Sequence, residues 1–189
     1  MDKTKNTIWI FTFIILISSF AIDNTIIKLS CIIGSVVAIV GIIYKNATEI
    51  TNLSKDNIKI KTLRNVVIMT LLFLFLIIFT ICFTEISNKL SENIVLTIIT
   101  IFFIYFGNIS PKIPCNRYVG FRLPWTVNDE ETWRYAHRLL GYLSFPAAII
   151  MFLTGFYYNL KVGIFLGVFI IVVIPGILSY RFYKNLYKV

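Results

Sequence analysis

The sequence predicts an all-α fold, a polytopic membrane bundle of about six transmembrane helices with both termini in the cytoplasm. Three observations carry that reading. Of 189 residues, 58% are hydrophobic and only 14% charged, with a mean hydropathy of +0.83, too apolar for an ordinary soluble domain. Apolar runs of roughly the length needed to cross a ~30 Å hydrocarbon core recur at 8–22, 26–44, 66–83, 94–106, 141–158 and 162–180. The third observation is charge: with the N-terminus inside, fifteen of the 18 Lys and Arg fall on the cytoplasmic side. Only Lys28, Lys89 and Lys161 fall on the other, which fixes the N-in, C-in orientation.

The first and fourth runs are the shortest, below the usual ~17 residues unless polar flanks are drawn in. Residues 1–21 also fit a secretory signal, with Lys3 and Lys5 before an apolar stretch and a Ser19-Phe20-Ala21 site. Asp23-Asn24 equally fits a tight turn into a second helix, and that is the stronger reading. On the second run Ser30, Gly34 and Ala38 recur every four residues, and Gly163 and Gly167 do so on the sixth, spacing that allows close helix approach within the chain. The segment 45–64 reads as a basic connector, its Lys55, Lys59 and Lys61 serving orientation and headgroup contact. Pro146 and Pro175 are expected to kink the last two spans.

Loops one, three and five are short, so successive spans should run antiparallel. No Asp, Glu, Lys, Arg or His lies near the centre of any run, which argues against an ion-coupled transporter. The net charge of +9 is spread over loops, so direct nucleic-acid binding is not expected, and anionic lipid is the plainer partner. Cys31, Cys82 and Cys115 form no C-x-x-C pair, and neither a structural disulfide, a zinc site nor a cofactor is expected.

The chain is read as one integral membrane domain, 1–189, with a cytoplasmic polar island at 107–141. That island holds the sole His, two of the three Trp, three of the five Pro and four of the six Arg. Pro111 and Pro114 exclude ordinary helix over 108–114. Thr126-x-x-Asp129 and Asn128-x-x-Glu131 both fit a capping box, so a helix should start near 126–129 and continue into the fifth span. On it Glu130, Arg134 and Arg138 make an ionic stripe, and Trp133, His137 and Gly141 another, at membrane-interface depth.

Surface pairing of Glu130 and Glu131 with Arg134 explains much of this, each pair contributing only ~0.3–0.5 kcal/mol. It does not explain Arg117 and Arg122, presented from a Pro- and Gly-punctuated loop beside Trp125, as suits an anionic or carboxylate-bearing ligand. Anion or lipid-phosphate binding and a purely architectural loop both remain open. His137 alone makes neither a triad nor a metal site. Cys115 and His137 could be drawn as nucleophile and base with Asn108 or Asn116 orienting, but no spacing enforces it, and no catalytic residue is assigned. His137 is expected to hydrogen-bond a loop carbonyl at the interface.

Gly107-Asn108, Pro111-Lys112, Asn116-Arg117-Tyr118-Val119-Gly120-Phe121-Arg122-Leu123-Pro124-Trp125-Thr126 and Glu131-x-Trp133-Arg134-x-x-His137-Arg138-x-x-Gly141 together resemble the signature of the SdpI family. This bacterial membrane family is named for immunity to the sporulation-delaying cannibalism toxin. The resemblance covers about a fifth of the chain. It implies a multi-pass protein of the plasma membrane of Gram-positive bacteria that protects its host from a secreted, membrane-active peptide. In the namesake it further implies signalling, by recruiting a cytoplasmic transcriptional repressor to the membrane. Residues 1–44 do not match the amino-terminal module with a Met-Pro-x-His motif that many relatives carry, so the likeness is to a short form. The residues marked as ligand- or partner-binding are Asn108, Pro111, Asn116, Arg117, Gly120, Arg122, Trp125, Glu131, Trp133, Arg134, His137 and Arg138. The expected partners are a toxin peptide or anionic lipid, and the repressor. The alternative is a membrane enzyme or lipid handler using Arg117, Arg122, Arg134 and His137 on a phosphate-bearing headgroup.

Overall fold

The computed structural model describes residues 2–54, 57–83 and 89–187, and all regular structure among them is helical. In chain order the helices are α1 (Asp2–Ala21), α2 (Thr25–Lys45), the short α3 (Ala47–Thr51), α4 (Ile58–Phe83), α5 (Lys89–Ile109), the single turn α6 (Pro124–Val127), α7 (Glu130–Tyr157) and α8 (Leu160–Tyr187). A 3-10 turn, Ser110–Lys112, follows α5 directly. Each of the six apolar runs lies on a helix. Ile58–Thr80, Lys89–Lys112, Glu130–Tyr157 and Leu160–Tyr187 are long and apolar enough to cross a membrane, and Asn6–Ala21 and Ser30–Lys45 are shorter apolar stretches. The fourth run, short when counted from its apolar core, gains length because Lys89 to Asn93 and the residues from Gly107 to Lys112 join it. The connection between the third and fourth runs, 84–88, lies outside the described residues.

The chain forms two compact units, Met1–Leu71 and Leu72–Val189, with the division inside α4. In the first, α1 and α2 pair through the turn expected at Asp23-Asn24, where Asn24 Oδ1 accepts the Ile27 N–H and its carbonyl that of Lys28. Asn46 Nδ2 donates to Thr4 Oγ1 at 3.3 Å, tying the end of α2 to the start of α1. The basic connector is more ordered than its composition suggests. It holds α3, closed by Asn52 in the left-handed region (φ 53), and the opening turns of α4. Asn57 starts α4 early by accepting the Lys59 N–H on its side chain and the Ile60 N–H on its carbonyl. Arg64 lies 5.1 Å from the Tyr44 ring centre and donates to the Tyr44 carbonyl. Lys55 is outside the described residues. The small-residue stripe of α2 does not make its expected close approach at Gly34, where a Cβ would meet no described atom within 4 Å.

The second unit is built around α7, which packs against both α5 and α8. Glycines set the spacing, as expected for the 163/167 pair: a Cβ on Gly163 would lie 2.5 Å from Gly155 N and 2.6 Å from the Met151 carbonyl, and one on Gly167 2.9 Å from Met151 Cβ. These contacts are within the chain. On the other side of α7, a Cβ on Gly107 of α5 would collide with the Ser144 side chain, and one on Gly155 would meet Leu96 at 2.8 Å. Such backbone proximity maximises dispersion contacts, the main attraction between helices where no water is expelled. Helices α7 and α8 continue through Pro146 and Pro175 without interruption. Phe73 of α4 meets Phe102 edge-on at 5.3 Å, adding the second half of α4 to this unit.

Candidate functional site

The polar island folds into a cap over the ends of α7 and α8. The chain leaves α5 through the 3-10 turn that Ser110 and Pro111 form, and Pro111 settles against Gly141, whose Cβ would lie 3.0 Å from the proline Cγ. Asn108 and Pro111 are themselves exposed. The next turn is organised by one buried side chain. Asn116 donates through Nδ2 to the carbonyls of Pro114 and Val119, at 2.8 and 3.0 Å. Its Oδ1 accepts the N–H groups of Tyr118 and Val119 at 2.8 and 2.7 Å. Both donors and both acceptor positions are therefore used on the backbone of its own loop.

Gly120 then turns the chain at φ +116°, and a Cβ there would sit 2.6 Å from His137 Nε2 and 2.9 Å from Trp133 Cη2. That contact marks the seam between cap and helix. Trp133 and His137, one turn apart on α7, are each 1% exposed and stack at 4.0 Å. Trp133 Nε1 donates to the Ile113 carbonyl at 3.1 Å. His137 Nε2 accepts the Phe121 N–H at 3.1 Å, and Nδ1 lies 2.9 Å from the Trp133 carbonyl. These partners require a neutral imidazole with its proton on Nδ1. The sequence reading placed both rings at interface depth and gave His137 a loop carbonyl. Both rings are internal supports, and it is the partner of His137 that differs: the loop offers it an amide while the helix supplies the carbonyl.

Two further ties reach the cap's outer edge. Trp125 Nε1 donates to Ser179 Oγ of α8 at 3.0 Å and its ring lies 5.0 Å from that of Tyr180. Tyr187 donates its hydroxyl to Asp129 Oδ1. Helix initiation falls at Asp129, whose Oδ2 accepts from Thr132 N at 2.7 Å. Thr126 cannot cap α7, because its hydroxyl accepts from Leu123 N and lies 2.8 Å from the Phe121 carbonyl, closing α6 instead. Asn128 ends α6. Partial burial raises the Asp129 carboxyl, but the hydrogen bonds from Thr132, Tyr187 and Glu131 outweigh it and hold the group below the ordinary aspartate range.

The predicted residues thus separate by burial. Asn116, Gly120, Trp133 and His137, with Trp125 as latch, are framework. Arg117, Arg122, Glu131, Arg134 and Arg138 are exposed. Arg122 Nη1 donates to the Arg117 carbonyl at 3.0 Å, so these two share the cap's surface. Glu131, Arg134 and Arg138 instead line a groove of about 270 Å³ with Tyr135 and Phe182, which Arg117 and Arg122 do not enter. The expected pairing of Glu130 and Glu131 with Arg134 is not formed among the described residues. Sequence reasoning missed Ser179, Tyr135 and Phe182, which carry no local signal, and gave Thr126 the wrong helix to cap.

A nucleophile–base pair is not assembled. Both His137 nitrogens are committed, and both ends of the Asn116 amide likewise. Burial, then the charges of Glu130 and Asp129, push the Cys115 thiol up, away from the reactive thiolate. The chemistry left open to solvent is that of guanidinium groups, whose planar forks suit carboxylate and phosphate.

Fold and site together define a helical multi-pass membrane protein whose polar loop is folded as a cap on its last two spans. Residues 112–180, from the 3-10 turn to the Trp125 latch on α8, match the SdpI/YfhL protein family. The chain thus carries a segment similar to that family. It is similar to the "Immunity protein SdpI" of Bacillus subtilis (strain 168), with 36% identity over 90 residues, 46% of this chain. The match spans 42% of that relative's length. No solved structure matches the chain.

Proposed function

We propose that the protein is a non-catalytic immunity factor of the bacterial plasma membrane, protecting its host from a secreted membrane-active peptide. The observation that supports this most directly is the coincidence of the cap and its α7–α8 seat with residues 112–180, which match the SdpI/YfhL protein family, in a chain that is similar over 90 residues to an immunity protein. A cap that uses its His and Asn to hold its own backbone, and keeps arginines outside, suits binding better than turnover.

The test is protection of a Bacillus subtilis host lacking its own immunity protein and challenged with the sporulation-delaying toxin. The chain should restore growth. Arg122→Ala should reach the membrane at normal levels yet lose protection by about tenfold or more in toxin concentration, the scale of one charge-assisted hydrogen bond. Full protection by Arg122→Ala would leave the cap's surface without a role, and no protection by the unaltered chain would remove this toxin as its target. In the signalling form of the proposal the Arg117–Arg122 face is where a cytoplasmic repressor docks.

That face must then lie in the cytoplasm. Single cysteines near Asn57 and Asn128, in a chain freed of native Cys, should be protected from impermeant reagent in intact cells, and one near Asn159 should react. Labelling at Asn128 from outside would reverse the orientation that the basic residues imply.

A further inference from the structure

The groove at the junction of α7 and α8 lies at the polar ends of the two longest spans, with Arg134 and Arg138 one helical turn apart on one wall. Neither arginine has a carboxylate partner among the described residues. Tyr135 and Phe182 stack at 4.4 Å and 11° beside them, joining the two helices. Glu131 stands one turn before Tyr135, an acceptor next to two donors.

Below the groove the same face of α7 changes character. Tyr142 follows Arg138 by one turn and is 77% exposed, and Phe145 and Ile149 continue the stripe at 58% and 44%. A charged recess opening onto an exposed apolar strip matches a molecule with an anionic head and hydrocarbon tails. We propose that Glu131, Arg134, Tyr135, Arg138 and Phe182 form a headgroup site for a monoanionic phosphodiester lipid whose head carries hydroxyl donors, the chemistry of phosphatidylglycerol. The paired forks take the phosphate, Glu131 accepts from the head hydroxyls, and the acyl chains lie along Tyr142, Phe145 and Ile149. Glu131 also sets specificity, since its charge opposes a dianionic phosphomonoester and finds no donor on a choline head. The site goes beyond the immunity reading and does not depend on it.

Lipid retention by the purified, detergent-solubilised full chain tests it, read by native mass spectrometry against dioleoyl phosphatidylglycerol, phosphatidylcholine and phosphatidic acid. Phosphatidylglycerol should be retained best. Arg134→Gln/Arg138→Gln should weaken it by roughly tenfold or more, whereas Lys28→Gln/Lys161→Gln, which removes the same charge elsewhere, should not. Glu131→Gln should narrow the preference over phosphatidic acid. Equal retention by the arginine double variant, or an equal loss in the lysine variant, would overturn the site. Competition by soluble glycerophosphoglycerol as effective as by the lipid would overturn its assignment to a lipid. Because the readout is binding, a failure here leaves the protection assay untouched, and a failure there leaves this one.

Discussion

Replacing Trp133 with alanine is expected to lower the free energy of unfolding by about 3–5 kcal/mol, the range for deleting a large buried aromatic. Three losses combine. The indole leaves a void where it had been 1% exposed, the Ile113 carbonyl loses its donor inside the cap, and His137 loses the ring stacked on it at 4.0 Å. The orphaned carbonyl alone costs about 1–3 kcal/mol. Denaturant titration of the detergent-solubilised protein should therefore place Trp133→Ala well below the native chain. Trp133→Phe, which keeps a ring and deletes only the N–H, should fall between them. A Trp133→Ala midpoint indistinguishable from native would mean the cap does not rest on this residue.

Gly120→Ala should cost about 2–4 kcal/mol from a single added carbon. Part of that is backbone strain, because a φ of +116° lies outside the regions an alanine favours, at about 1–3 kcal/mol. The rest is collision: the new methyl would lie 2.6 Å from His137 Nε2, in a seam where Trp133 blocks retreat. If the imidazole swings away, Phe121 N–H loses its acceptor, so the relief brings its own cost. The contrasting change is Gly34→Ala, where a Cβ meets no described atom within 4 Å. There the helix propensity of alanine should leave stability unchanged or raise it by about 0.5–1 kcal/mol. Equal behaviour of the two variants would show that the turn tolerates a side chain.

The helices were readable because each apolar run announces itself locally, whatever it packs against. Boundaries were less so. Residues 126–129 offered several capping patterns at once, and the choice fell to Asp129 because the Thr126 hydroxyl turns backward to Leu123 and Phe121. Contacts distant in sequence left no trace: nothing around Trp125 specifies Ser179, 54 residues later, and nothing pairs Tyr135 with Phe182. The island's unusual composition marked where the chemistry would gather. It could not say which side chains face inward, so the burial of Trp133 and His137 emerged only with their backbone partners.

The cap is fastened to two helices that leave the ribosome at different times. Its seat on α7, through Trp133 and His137, exists once that helix is made, whereas the Trp125 latch needs Ser179 and the Asp129 tie needs Tyr187, both near the end of α8. During synthesis the loop can therefore fold down before it can be fastened. The latch closes only after α8 has been inserted beside α7, so maturation of the cap reports that α8 is in place.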